Sequence, residues 1–332
     1  MRPRWNWDFE EEQRPTAAVS TPPKPPSPPP AMGPAPAAPP PPPPPPPHNR
    51  ARRMRINVRR GIAALVLVLL IALVIALSGS SRHPARATGT HSTVPASDAA
   101  ALAAGPAEER AISATLAYTP FVREGTRSVR DIALTFDDGP GPYTPAVLSV
   151  LEAAHVRATF FAIGRMERYF SASTEREFKD GDVVGDHTET HPPLARLSAR
   201  EQREQIFEGR ARLEILGRRP RLFRPPYGSF NPTTFRELAS MGMLMVLWSS
   251  DTNDYQQPGV PAIVQRALEG AHPGAIILMH DGGGTRAQTV EALPQIIRDL
   301  RARGYRLVTV PQLLAADPPV RGLPVPTNLA GD

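Results

Sequence analysis

The chain contains no cysteine, so no disulfide can staple it. That absence does not fix a compartment, because a domain of this size can bury an adequate core without cross-links. A glycine-rich phosphate loop is also missing. The one glycine run, Asp281-Gly282-Gly283-Gly284, has no Lys-Ser/Thr after it, and a flat doubly wound nucleotide-binding sheet thereby loses its main support. Nor is there a spread excess of positive charge. The net charge is +6, and six arginines (Arg50, Arg52, Arg53, Arg55, Arg59 and Arg60) account for all of it. Basicity this local gives no basis for a nucleic-acid groove, and no nucleic-acid partner is expected.

What is present is unevenly distributed. Twenty of the 42 prolines precede His48, with an unbroken run from Pro39 to Pro47. Proline has a fixed φ and no amide hydrogen, so residues 1–49 are expected to be a disordered, extended tail without a core. Trp5, Trp7 and the acidic stretch Asp8 to Glu12 within it are either a docking motif for a cytoplasmic partner or part of a solvated tail. A basic juxtamembrane segment, residues 50–60, follows. Ile62 to Leu77 is then uniformly apolar. With Gly61 and Ser78 it reaches about 27 Å as a helix, near the thickness of a bilayer core. Residues 61–78 read as a transmembrane signal anchor. The arginines on its N-terminal side place the N-terminus in the cytoplasm and the rest outside. Small-x-small triplets after the run keep a cleaved signal peptide as the rival, but the long stretch before it favours an anchor. Residues 79–113, rich in Ser, Ala, Gly and Pro, read as a linker, with a short helix over Ala99–Ala104 as one option.

From about residue 114 to 316, apolar strands alternate with amphipathic helices. Strands are expected at Ile132–Phe136, Ala158–Ile163, Val183–Val184, Leu222–Phe223, Leu244–Trp248, Ala275–Met279 and Leu307–Val310. Helices are expected at Pro145–Ala154, from the capping box Ser198–Glu201 to about Leu216, from Asn231-Pro232 to about Ser240, at Val260–Ala271 and at Thr289–Arg303. Repeated β-α units with nearly unbroken apolar strands predict an α/β fold with a parallel sheet, a distorted or incomplete (β/α) barrel. Residues 317–332 are expected to be a flexible C-terminal tail.

Polar motifs follow the strands in phase. Asp137 and Asp138 end the first, in Thr135-Phe136-Asp137-Asp138-Gly139-Pro140. His187 and His191 follow Val183-Val184, Arg224 follows Leu222-Phe223, Trp248, Asp251 and Asp254 follow Leu247, and His280 follows Met279. In a parallel barrel these ends share one face, where active sites lie. Asp-Asp-Gly-Pro alone would serve equally as a turn. Beside a His-x-x-x-His pair, however, a strand-end aspartate completes an Asp, His, His set typical of a catalytic zinc-type site with open positions. The second aspartate is then free to act as a base, and His280 as an acid across the substrate.

The segments Thr135–Pro140, His187–His191, Arg224–Gly228, Trp248–Tyr255 and Leu278–Asp281 resemble the five ordered motifs of the NodB-type polysaccharide deacetylases, carbohydrate esterase family 4. The resemblance runs from about Asp131 to Leu314. It implies that Asp138, His187 and His191 bind a divalent metal, usually zinc, with cobalt or another divalent ion as alternatives. It implies that Asp137 is the general base, tuned by Arg224, that the Tyr227 N–H steadies the oxyanion, and that His280 is the general acid oriented by Asp254. Trp248, Tyr255 and Leu278 are expected to wall the acetyl pocket. Asp186 stands where Asn is also common, Glu189 is expected to face solvent, and the Asp281 glycine run to form a flexible loop.

The resulting expectation is a membrane-anchored, metal-dependent N-deacetylase of a cell-envelope glycan, acting on N-acetylglucosamine of peptidoglycan. An exported or surface polysaccharide is the alternative substrate. Glycoside hydrolysis and a catalytically silent glycan-binding scaffold are the alternative functions.

Overall fold

The computed structural model describes residues 96–214, 219–326 and 329. The expected Pro-rich tail, basic segment and transmembrane anchor, and most of the expected linker, lie outside the described residues. Among the described residues no helix is long and apolar enough to cross a membrane.

Helix α1 (Ala96–Leu116) opens the described chain, so the stretch expected to be linker up to residue 113 becomes helical at Ala96. Its C-terminal part has a reason to be ordered: Ala111 and Ile112 are buried in a cluster with Leu313 and Leu314. The strands that follow are β1 (Phe121–Val122), β2 (Asp131–Asp137), β3 (Thr159–Ala162), β4 (Val183–Asp186), β5 (Leu222–Phe223), β6 (Leu244–Val246), β7 (Ser250–Asp251), β8 (Ile276–His280) and β9 (Arg306–Val308). All the pairings between them are parallel. The order is β1-β6-β5-β4-β3-β2-β8-β7, with β9 also on β2. Only Leu247, Trp248 and Ser249 separate β6 from β7. The expected strand Leu244–Trp248 therefore stops at Val246: β6 pairs with β1 and β5, and after a bend β7, beyond the expected strand, pairs with β8. The sheet is carried round in this way, as an irregular, incomplete (β/α) barrel.

The helices are α2 (Thr144–Ala153), α3 (Glu167–Asp180), α4 (Ala199–Arg212), α5 (Pro232–Met241), α6 (Val260–Glu269), α7 (Ala287–Ala302) and α8 (Val310–Ala316). Their starts follow local chemistry. Ser198 and Glu201 form a capping box at α4, and Asn231 caps α5 with Pro232 in its first turn. At α8, Thr309 and Gln312 form another capping box, so the strand expected through Val310 stops at Val308. Helix α3 was not expected. Its buried residues are Ser173, Thr174, Glu177 and Phe178, and a stripe with one large apolar side chain gives little periodic signal.

Alternation along β2 sorts its two faces. Ile132, Leu134 and Phe136 join Leu148, Ile263, Leu293 and Ile296 beneath α2, α6 and α7. Ala133 points the other way, into a cluster with Phe161, Leu244, Val246 and Leu313. Thr135 and Asp137 share that inner face, toward the C-terminal end of the strands. The register places Asp137 beside Phe161 of β3 and His280 of β8.

Candidate active site

Arg224 occupies the inside of the barrel with no solvent exposure. Its Nε donates to the Val246 carbonyl, Nη2 to the Leu247 carbonyl at 3.3 Å, and Nη1 to both Thr135 Oγ1 and Asp137 Oδ1, the last at 2.7 Å. The guanidinium also lies 4.1 Å from the centre of the Phe161 ring. Burial pulls its pKa down and the Asp137 carboxylate opposes that shift. Asp137 Oδ1 is committed to Arg224, while Oδ2 faces His187 Nε2 at 3.8 Å.

By strand alternation Asp138 would face the helices. A left-handed φ of 72° turns it back, so that its Oδ1 lies 3.1 Å from His191 Nε2 and 3.5 Å from His187 Nε2. Thr188, His191 and Tyr227 also have positive φ. Non-glycine residues in this region are strained, and such strain concentrates at functional sites. Both imidazoles are oriented from behind. His187 Nδ1 donates to the Arg224 carbonyl at 2.7 Å, and His191 Nδ1 lies 3.1 Å from the Tyr227 hydroxyl. This is how metal-ligating histidines are usually held. Asp138 Oδ1 is buried with no hydrogen-bond partner. Burial resists its ionisation, but the imidazoles hold its carboxyl well below the usual range. Burial lowers the His191 pKa against the pull of Asp138, which favours the neutral imidazole a metal requires. Asp138, His187 and His191 form the one potential metal-holding group among the described residues. A divalent cation fits this buried acceptor set.

His280 ends β8 on the opposite side. Its Nδ1 donates to Asp254 Oδ1 at 2.8 Å and its backbone N–H to Asp254 Oδ2 at 2.9 Å. Thr289 also donates to Oδ2, at 2.6 Å. Burial alone would lower the His280 pKa. The Asp254 charge and hydrogen bond, helped by Asp138 and Asp137, outweigh it and raise the pKa to about 9. Asp254 is buried too, but the His280 charge and these hydrogen bonds hold its carboxyl below the usual value. Asp251 instead accepts the Asn253 N–H.

These groups line one cleft of about 560 Å³. It contains Asp137, Asp138, His187, His191, Tyr227, Trp248, Tyr255, Leu278 and His280, together with Pro193, Arg196, Pro225, Asp251 and Leu329. The Tyr255 ring meets His280 edge-on at 5.3 Å. Arg224 and Asp254 stand behind the cleft and touch it through Asp137 and His280.

Several neighbours differ from expectation. Glu189 is buried and pairs with Arg212 at 2.6 Å, because α4 covers it. The Asp281 glycine run is packed rather than loose. A Cβ at Gly282 or Gly283 would collide with Asp138, and the buried Arg286 donates to the Gly282 and Gly283 carbonyls. Asp281 is fully buried against Gly139, accepts from Thr144, and burial pushes its pKa up to about 7. Asp186 is buried, accepts the Thr188 N–H, and is pushed well above the ordinary carboxylate value by burial. A neutral carboxyl there does the work of an Asn side chain. The C-terminal stretch returns to the site: the Leu329 N–H donates to the Gly228 carbonyl at 3.1 Å. Thr135, Thr289, Arg286 and Leu329 are contributors that the sequence reading missed. Thr289 and Arg286 sit at the start of α7 and just before it, and nothing in their local pattern separates them from capping residues.

A family model described as polysaccharide deacetylase matches residues 124–246. Trp248, Asp254 and His280 lie beyond that segment, and the geometry above brings them in. A peptidoglycan-N-acetylglucosamine deacetylase of Bacillus cereus is 41% identical over 186 residues, covering 55% of this chain and 87% of that protein. A chitooligosaccharide deacetylase of Azorhizobium caulinodans is 36% identical over 200 residues, covering 56% and 95%. Among solved structures, the Bc1960 peptidoglycan N-acetylglucosamine deacetylase, in complex with 4-naphthalen-1-yl-N-oxidanyl-benzamide, matches with a TM-score of 0.57. It is 35% identical, with 59% of this chain and 92% of that one covered.

The geometry separates the two adjacent aspartates. Asp138→Ala, His187→Ala and His191→Ala are each expected to lose bound metal, whereas Asp137→Asn is expected to retain most of it. Elemental analysis of the dialysed proteins checks this. A metal-free Asp137→Asn protein would contradict the division.

Proposed function

Because the chain belongs to the NodB-type polysaccharide deacetylases, carbohydrate esterase family 4, we propose that it removes N-acetyl groups from a cell-envelope glycan in a metal-dependent reaction. The observation that carries this reading is the register of β2 and β8. Asp137 and His280 are partners on adjacent parallel strands, each backed by its own buried counter-charge, Arg224 and Asp254. A base and an acid then stand side by side at the cleft floor, next to Asp138, His187 and His191. Those three residues would hold the divalent ion, with zinc favoured by the donor set and cobalt as an alternative. When bound, that ion supplies Lewis-acid polarisation of the acetyl carbonyl and makes a nearby water easier to deprotonate.

The protein groups divide the rest of the work. Asp137 takes a proton from the attacking water as the new C–O bond forms, with Arg224 holding its other oxygen. The Tyr227 N–H, in its strained turn, steadies the oxyanion. His280 gives its proton to the nitrogen as the C–N bond breaks, leaving acetate and a free amine. Trp248, Tyr255 and Leu278 exclude water around the acetyl methyl. Peptidoglycan N-acetylglucosamine is the preferred substrate, supported by the 41% identical relative that carries that name. An exported chitooligosaccharide-like glycan is the second candidate, supported by the 36% identical one.

Incubation of the full-length protein with purified cell wall is expected to release acetate and leave new glucosamine amines without new reducing ends. Reducing ends without acetate would make the protein a glycosidase, and neither product would make it a silent binder. The pH profile tests the acid. His280 acts protonated, so turnover is lost as pH rises through its pKa. Asp254→Asn removes the charge that raises this pKa, and the alkaline limb should move to lower pH. The same shift from Asp251→Asn, with Asp254→Asn unmoved, would transfer the role.

The arginine cluster before the apolar run 61–78 supports a topology with a cytoplasmic N-terminus and an anchored, extracytoplasmic catalytic domain. Protease added to intact spheroplasts should digest the domain and spare the tail. Protection of the domain until the membrane is breached would refute this.

A further inference from the structure

One wall of the cleft comes from the far end of the chain. The stretch after α8 is fastened at its base. The Asp317 carboxylate accepts the Thr126, Arg127 and Ser128 N–H groups, and the Tyr118 hydroxyl donates to the Pro319 carbonyl at 3.0 Å. Leu329, twelve residues past Asp317, is fastened at the cleft by its N–H bond to Gly228. Gly228 is suited to receive it. Its φ of 68° continues the turn that presents Tyr227, and a Cβ there would sit 2.8 Å from Leu329 Cβ and 3.2 Å from the Trp248 ring. Leu329 and the indole thus close over the same bare backbone. Leu329 nevertheless remains 43% exposed, in a cleft whose floor is carboxylates and imidazoles. A leucine fixed by a backbone hydrogen bond, lying beside an aromatic ring and left half in water, gains from being covered. The faces of a pyranose ring present C–H groups, and such a face is a suitable cover.

We infer that Leu329 is a specificity-determining residue whose side chain, together with Trp248, forms an apolar lip that seats a sugar ring of the substrate glycan. The identity of that ligand rests on the glycan-deacetylase reading above. The contact is made with unreacted substrate as well as with the transition state, so it acts mainly on KM rather than on kcat.

The test compares the wild-type full chain with Leu329→Ser, Leu329→Met and a chain ending at Pro326, using the β-1,4 pentamer of N-acetylglucosamine. Acetate release gives kcat and KM, and calorimetry gives the Kd of the pentamer independently of turnover. Covering about half of a leucine side chain corresponds to roughly a fivefold change in affinity. Leu329→Ser should therefore raise KM and Kd about fivefold, with kcat within twofold and metal content unchanged. Leu329→Met should restore both values, and the shortened chain should lose at least as much affinity as Leu329→Ser. Unchanged KM and Kd in Leu329→Ser would overturn the inference. Tighter binding or a higher kcat/KM in the shortened chain would overturn it too, since the tail would then be an obstruction. If the wild-type chain binds the pentamer but releases no acetate, the Kd comparison still decides the lip, and acetate release from purified cell wall decides the deacetylase reading. A wild-type chain that binds no pentamer overturns the lip as a seat for N-acetylglucosamine rings, while the cell-wall assay decides the deacetylase reading separately.

Discussion

The contact on which the rest of this structure depends is the buried ion pair between Arg224 and Asp137. A guanidinium with no solvent exposure sits inside a barrel otherwise filled by Phe161, Leu244 and Val246. It is tolerable there because its N–H groups are aimed at carbonyls, a hydroxyl and one carboxylate. Removing one partner from such a pair strands a charge and typically costs about 3–5 kcal/mol. The cost is local, and so is the ordering it imposes. Nε and Nη2 tie the end of β6 and the bend that follows it, Nη1 fixes the end of β2, and the Arg224 carbonyl receives His187 Nδ1. The same residue therefore shapes the barrel mouth, orients the carboxylate of Asp137 and sets the ring of a metal-ligand candidate.

Around that pair the cleft balances charge residue by residue. Asp137 has Arg224, Asp254 has His280, and the charge of Asp138, beside two imidazoles of which His191 is driven toward its neutral form, is left for a cation to balance. Two further buried carboxyls, Asp281 and Asp186, are driven toward the neutral form by burial and serve as hydrogen-bonding supports. Left-handed backbone at Asp138, Thr188, His191 and Tyr227 completes the arrangement. This strain is held by the surrounding packing, including the glycines that let Asp281 and Asp138 approach. Close neighbours of like charge with separate partners keep distinct protonation states, which acid–base chemistry in one cleft requires.

Much of this was legible in the sequence, for a physical reason. Parallel strands buried on both faces read as apolar runs, and each polar motif here follows such a run, so Asp137, His187, Arg224 and His280 could be placed on one face from the sequence alone. Caps at Ser198 and Asn231 marked helix starts as they stand. What escaped was nonlocal or lacked a period. Helix α3 buries one large apolar side chain, Phe178, among small and polar ones. The α8 cap at Thr309 hid behind a β-favouring run. Glu189 looked solvent-facing until α4 covered it. The glycine run looked loose because glycine permits close packing as readily as motion, and only Arg286 decides between them. Leu329 reaches the site from about a hundred residues beyond Gly228, and no local pattern announces such a contact. The choice of Asp254 over Asp251 as the His280 partner came from family resemblance, and here it rests on a 2.8 Å hydrogen bond.

If Arg224 and Asp137 act as one unit, their contributions to stability cannot be independent. A double-mutant cycle with Asp137→Asn, Arg224→Met and the pair together, read by urea denaturation of the metal-depleted protein, measures the coupling directly. The account predicts that each single substitution destabilises the fold by about 3–5 kcal/mol, and that the double substitution costs little more than either one. Additive losses, with a coupling near zero, would contradict it.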